Sequence, residues 1–150
     1  MTDLNLLDWF ALFNTQVVKL HAELHKNIRP DDNIQARVEI KLTPAQLPDS
    51  GELTRFQVGV RLLCEGTMQS DPDSPAFTIE CVLNAGYQQI SGEAIGFEEF
   101  SSYHTSLTRQ LYPLIHQQLV PLLSQLGLPQ VRLPQDIVHT KAGTTPQQVH

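Results

Sequence analysis

The side chains that could do chemistry are few and scattered. His21 and His25 stand four residues apart in VVKLHAELHKN. On the polar face of a strand that spacing is about 13 Å along the chain, too far to share a metal without a third element. Cys64 and Cys81 could form a disulfide, but they read better as two small apolar residues meeting in a reduced core. Glu98 and Glu99 suggest an acid/base pair, yet adjacent residues at a helix start point in different directions, and complementing the helix dipole explains them. His104 and His116 flank a helical stretch without an acidic partner at helical spacing and read as surface. The single Trp9 reads as a packing anchor. Gly-rich phosphate loops and the patterns G-x-S-x-G, H-E-x-x-H and C-x-x-C do not occur. The expectation is therefore a protein that is not an enzyme, with no metal and no cofactor.

Composition narrows the alternatives. A chain of 150 residues, 41% apolar and 17% charged, is one globular domain with enough length to bury a core. The net charge of −6, with Lys and Arg placed singly, argues against nucleic acid, which requires clustered cations. No apolar run is long enough to cross a bilayer. The start, MTDLNLLDWFALF, carries Asp3 and Asp8 and no basic region, unlike a signal peptide. Two cysteines make no disulfide framework. The cytoplasm is the expected compartment.

The elements follow from hydrophobic period. Leu4, Leu7, Phe10 and Phe13 fit one face of a short N-terminal helix, an apolar segment over 4–13. Period two then sets in: Val18, Leu20, Ala22 and Leu24 face one way, Lys19, His21, Glu23 and His25 the other. NIRPDDN is a turn-forming loop. IQARVEIKL, RFQVGVRLLCEG and AFTIECVLNAGYQQI are three further strands, separated by the breaks TPAQLPDSGE and DPDSP. A turn centred between Pro72 and Asp73 would set Cys64 opposite Cys81 and Leu62 opposite Leu83. One near Pro48 would set Ile40 opposite Phe56. Either way apolar faces meet, so the last three strands form an antiparallel meander. From Phe100 to Leu126, leucines and aromatics recur at spacings of three and four, an amphipathic helix with Gly127 as its C′ residue. Pro113 is expected in its first turn, while Pro121 should kink it. The fold class is α+β: a four-stranded antiparallel sheet with one long proline-containing helix packed on one face. The domain is expected to span 1–137, with 138–150 a disordered tail.

One helix covers only about 10 Å of a sheet some 14–19 Å wide. Either the N-terminal segment or another subunit must cover the remaining apolar face.

Several stretches resemble the SecB family of protein-export chaperones. AFTIECVLNAGYQQISG is similar to the family's last strand at Phe77, Glu80, Tyr87, Ile90 and Gly92. Leu111-Tyr112-Pro113 resembles its aromatic–proline entry to the long helix, and GLPQVRLPQDI resembles the exit, at Gly127, Pro129, Leu133, Pro134 and Asp136. The resemblance covers roughly Gln16 to Ile137. It implies a SecB-like Greek key and a homo-oligomer, a dimer of dimers, that binds unfolded polypeptides in apolar grooves without ATP. It also implies docking to the SecA motor, but the family's acidic motif is not reproduced in VVKLHAELHKN, and VHTKAGTTPQQVH is too short and polar for the family's second helix. The client expected is then either exported preproteins or a dedicated one, such as an antitoxin.

On this reading Leu42, Leu47, Phe97, Phe100 and Tyr103 bind client, because large apolar side chains there flank breaks in structure. Leu107, Leu111, Leu114 and Leu119 form the oligomer interface. The competing readings are an adaptor that keeps the fold but binds one folded partner, and a small-ligand domain.

Overall fold

The computed structural model describes residues 6–29, 31–50, 53–133 and 147–149. A single turn of helix α1 (Leu6–Trp9) leads directly into β1 (Phe10–Leu24). Then come β2 (Ile34–Ser50), β3 (Leu53–Met68), β4 (Asp71–Gln89), α2 (Phe97–Ser101), α3 (His104–Gln125) and β5 (Gln147–Val149). The sheet is antiparallel throughout, in the order β1-β4-β3-β2-β5. The β2–β4 meander is extended by β1, which returns beside β4 through the 25–33 connection. That is Greek-key connectivity.

The strands exist where alternation demanded them, yet their ends and pairings differ from the sequence reading. Leu62 opposes Cys81 and Cys64 opposes Ile79, two residues from the expected register. Ile40 opposes Leu62 and Val38 opposes Cys64, six residues from the expected one. Both shifts are even, so the same residues still face inward. The larger shift arises because β2 runs on through Pro44 and Pro48 to Ser50. Beyond Val38 no other described strand borders β2 on its outer side, the position in a sheet that tolerates proline. At the other end, Phe10–Phe13 belong to β1 rather than to a helix. Residues 138–150 were expected as a disordered tail; Gln147–Val149 instead pair with Ala36–Val38, while 134–146 and 150 lie outside the described residues.

The core sits between one sheet face and the helical layer. Phe56, Val58, Val60, Leu62 and Cys64 of β3 and Phe77, Ile79, Cys81, Ala85 and Tyr87 of β4 are fully buried. Against them pack Leu107, Leu111, Ile115, Leu119 and Leu123 of α3, then Leu128, Val131 and Leu133 after it. The amide N–H groups of Leu128 and Gly127 donate to the carbonyls of Leu123 and Ser124 (2.9 and 3.0 Å). With Gly127 at φ +76° this is the Schellman ending that the glycine announced. Pro113 is not in the first turn: α3 starts at His104, so both prolines lie inside the helix. Both are exposed, so each break that a proline makes in the helix's amide–carbonyl ladder lies on the solvent side.

Candidate polypeptide-binding surface

The helical layer meets β1 at Phe10, whose ring packs on Phe100, but leaves the middle of the strand uncovered. Residues opposed across a ladder share a face, so Val17 and Leu20, opposite buried Leu83 and Cys81, belong to the same face as the core. Yet Val17 is 38% and Leu20 42% exposed. The uncovered apolar face expected from the width of the sheet is real and lies on β1. Val18, at the bulge between Val17 and Lys19, is more exposed still, as is Ile90 just beyond β4. The N-terminal segment covers only one end of this face. There Phe10 is buried, and Trp9 lies over Gly92, with its carbonyl accepting from Ile90 N–H at 2.7 Å.

β1 is also an edge. Among the described residues it pairs with β4 alone, so its outer N–H and C=O groups are open along the strand. A strand edge with uncovered Val, Leu and Phe side chains can accept an extended polypeptide by backbone pairing plus apolar contact. Full burial of each such side chain is worth about 1.5–3 kcal/mol.

The side chains expected to bind client are not brought onto one surface. Phe100 has no exposed surface: its ring stacks on Phe56 at 4.2 Å between centroids, with Phe10 and Tyr87 at 5.3 and 5.8 Å. It is a core residue, because α2 presents it to the sheet rather than to solvent. Leu42 is likewise buried under the helical layer. Leu47 is half-buried opposite Arg55, on the other face of the sheet. Tyr103 is half-buried against the core, and Phe97, 37% exposed at the rim of the aromatic cluster, is the most open of the described side chains among the five. The residues expected at the oligomer interface are corrected in the same way. Leu107, Leu111 and Leu119 are wholly inside this subunit and Leu114 packs against its core, so the leucine stripe faces the chain's own sheet.

The sequence reading missed Phe13, Val17, Val18, Leu20 and Ile90. One signal was present: Val17 and Val18 are adjacent apolar residues in an alternating strand, the mark of a bulge.

The titratable groups form no reacting set among the described residues. His25 Nε2 lies 2.7 Å from Thr78 Oγ1, His21 Nε2 3.3 Å from Glu23, and the His116 ring packs edge-on to Tyr112. Burial pushes the Cys64 thiol up to about 12, with Glu65 adding to it, and burial also raises Cys81. Both cysteines are free. Burial raises Tyr87 as well, whose hydroxyl donates to Gln110 Oε1 at 2.8 Å. Among the described residues no group of three or more His, Cys, Asp or Glu is placed to hold a metal ion, and no helix is long and apolar enough to cross a membrane. A cleft of about 460 Å³ opens at the sheet end between Asn33, Gln35, Thr67, Gln69 and Pro72.

No protein-family model matches the chain. No curated protein matches it either. Among solved structures, the chain is similar to the Mycobacterium tuberculosis SecB-like chaperone Rv1957, solved in complex with a ChAD peptide from the Rv1956 HigA1 antitoxin. The superposition has a TM-score of 0.67 at 21% identity and covers 86% of this chain and 92% of that one. An antiparallel sheet ordered β1-β4-β3-β2, backed on one face by a helix, is thus a divergent SecB-like fold.

Proposed function

We propose that the protein is an ATP-independent chaperone, not an enzyme, that holds unfolded polypeptides in the cytoplasm. It works as a homo-oligomer, most economically a dimer of dimers, and needs no cofactor. The observation that carries this reading is the apolar strip on the open edge of β1, Val17 and Leu20 on the face the helices cover elsewhere, with Val18 at the bulge beside them. An extended client pairs with the edge through its backbone, while alternate side chains contact the strip, so affinity is spread over weak contacts. Because a chaperone of the same fold binds an antitoxin peptide, a dedicated client of that kind is favoured over general preprotein export. Docking to SecA has no support in the first strand, where Lys19, His21 and His25 are interspersed with a single acid, Glu23.

The test is suppression of aggregation of an unfolded, apolar-rich polypeptide without nucleotide, near stoichiometric amounts, alongside sedimentation. The intact protein should suppress aggregation and sediment above monomer mass. Val18→Glu with Leu20→Glu should remove most of the holding with little change in thermal stability. If the double variant only lowers the mass and still holds client, β1 is the subunit interface. If the intact protein holds no unfolded client yet binds one folded partner tightly, the chain is an adaptor.

A further inference from the structure

The opposite face of the sheet carries a different message. Register aligns Lys19 of β1, Val82 of β4, Arg61 of β3 and Lys41 of β2 in one row across the sheet. Lys41 directly opposes Arg61, an unfavourable like-charge pair when nothing negative lies over it. Glu80 stands one row on, in line with His21, Leu63 and Glu39, and its two oxygens meet Lys19 Nζ at 2.8 Å and Arg61 Nε at 2.5 Å. Lys41 has no acidic partner among the described residues, and Arg61 and Lys19 remain half-exposed at 51% and 58%.

From that row towards Leu47 the face holds no acid at all. The next rows are Thr43, Gly59, Asn84 and Gln16, then Ala45, Gln57, Gly86 and Asn14, and then Leu47, Arg55 and Gln88. Arg55 there lies 4.6 Å over the Phe13 ring. Glu39 stands in the row of Glu80, one step along β2 from Lys41, and Glu23 and Glu65, with Arg37, lie one row further on. On a chain of net charge −6 this half-face is the basic exception. Gly59 lies within it, where no side chain rises and a Cβ would stand 3.4 Å from the Asn84 amide oxygen.

We propose that this half-face, through Lys19, Lys41, Arg55 and Arg61, docks an extended acidic segment of a partner polypeptide. The patch spans about 20 Å along the strands and about 14 Å across them, room for roughly six extended residues. Charge complementarity selects the occupant and accelerates its arrival. A nucleic acid fits less well: neutralising a run of phosphates needs more clustered cations than these four, two of which Glu80 already engages.

The experiment uses the full chain and a fluorescein-labelled peptide of alternating Glu and Ser, with Gln/Ser and oligothymidine probes of equal length, read by anisotropy. The Glu peptide should bind about tenfold more tightly than the Gln peptide, and weaken about fivefold or more between about 50 and about 300 mM NaCl. Lys41→Glu should weaken it about tenfold, whereas Lys41→Arg and the distant Arg132→Glu should change it less than about twofold. Melting and the holding of unfolded client should be unaffected by Lys41→Glu, which separates this surface from the β1 strip. Equal binding of Glu and Gln peptides, or an equal effect of Arg132→Glu, overturns the proposal. Tighter, Lys41-dependent binding of the oligonucleotide replaces it with nucleic acid. A lower sedimentation mass of Lys41→Glu without peptide replaces it with a second copy of this chain.

Discussion

Phe77 lies across Gly66 on the neighbouring strand, so close that a methyl group at Gly66 would overlap the Phe77 ring. The ring is fully buried and cannot swing aside without disturbing its neighbours. Gly66→Ala should therefore destabilise the protein by about 1–3 kcal/mol, the usual cost of overpacking, although alanine ordinarily favours a folded backbone over glycine. Urea unfolding measures it. Adding Phe77→Leu to Gly66→Ala should cost less than the sum of the two single changes, since the second relieves the clash created by the first.

Phe97 and Phe100 sit three residues apart on α2 but should behave oppositely. Phe100→Ser removes a ring stacked on Phe56 and should cost about 3–5 kcal/mol, enough to leave much of the protein unfolded. Phe97→Ser, at the exposed rim, should cost less than about 1 kcal/mol. Thermal melts of the two variants decide the matter; similar losses would mean that Phe97 is core as well.

Both thiols should stay reduced and react only on unfolding. Cys64 opposes Ile79 and Cys81 opposes Leu62, so the two are diagonal neighbours on one buried face. The Cys64 thiol is raised from 9.0 to about 12. A raised thiol keeps its proton in the folded state while the unfolded chain gives it up, so its contribution is intact below pH 9 and is lost as the pH rises from there towards about 12. Stability should fall over that window, and Cys64→Ala should flatten the fall in urea titrations at stepped pH. Alkylation of the native protein at pH 8 should be no faster than global unfolding.

Glu80 should make itself felt at acid pH. Hydrogen bonds from Lys19 and Arg61 hold its carboxyl below the ordinary value of 4.5. A lowered carboxyl contributes stability that is present above the unfolded value and lost as the pH falls through the folded one. Wild-type stability should therefore decline below about pH 4.5 in part through this residue, and Glu80→Gln should make the decline shallower. The effect should be small and shrink in high salt, because the cations are half-exposed.

The sequence by itself determined which side chains face the core in β2, β3 and β4, and where α3 ends. Alternation settles a strand's faces whatever its register, provided register moves by even steps, and that is why Cys64, Leu62 and Ile40 are buried though each pairs with a different residue than turn position suggested. Gly127 marks the end of α3 because the left-handed turn there is cheap only for glycine. What only the tertiary structure decided is everything set by long-range pairing. A proline reads as a break until the neighbouring strands show that β2 borders the sheet's margin, and so Pro44 and Pro48 were legible as punctuation but not as strand. Phe100 and the leucines of α3 look equally suited to core, client or subunit contact, since period records amphipathicity and not the partner. The sheet behind them took those side chains, and it left Val17 and Leu20 on β1 uncovered because α3 is narrower than the strands it must cover. The basic row on the far face was invisible for the same reason: Lys19, Arg61 and Lys41 are far apart in sequence, and only register sets them side by side.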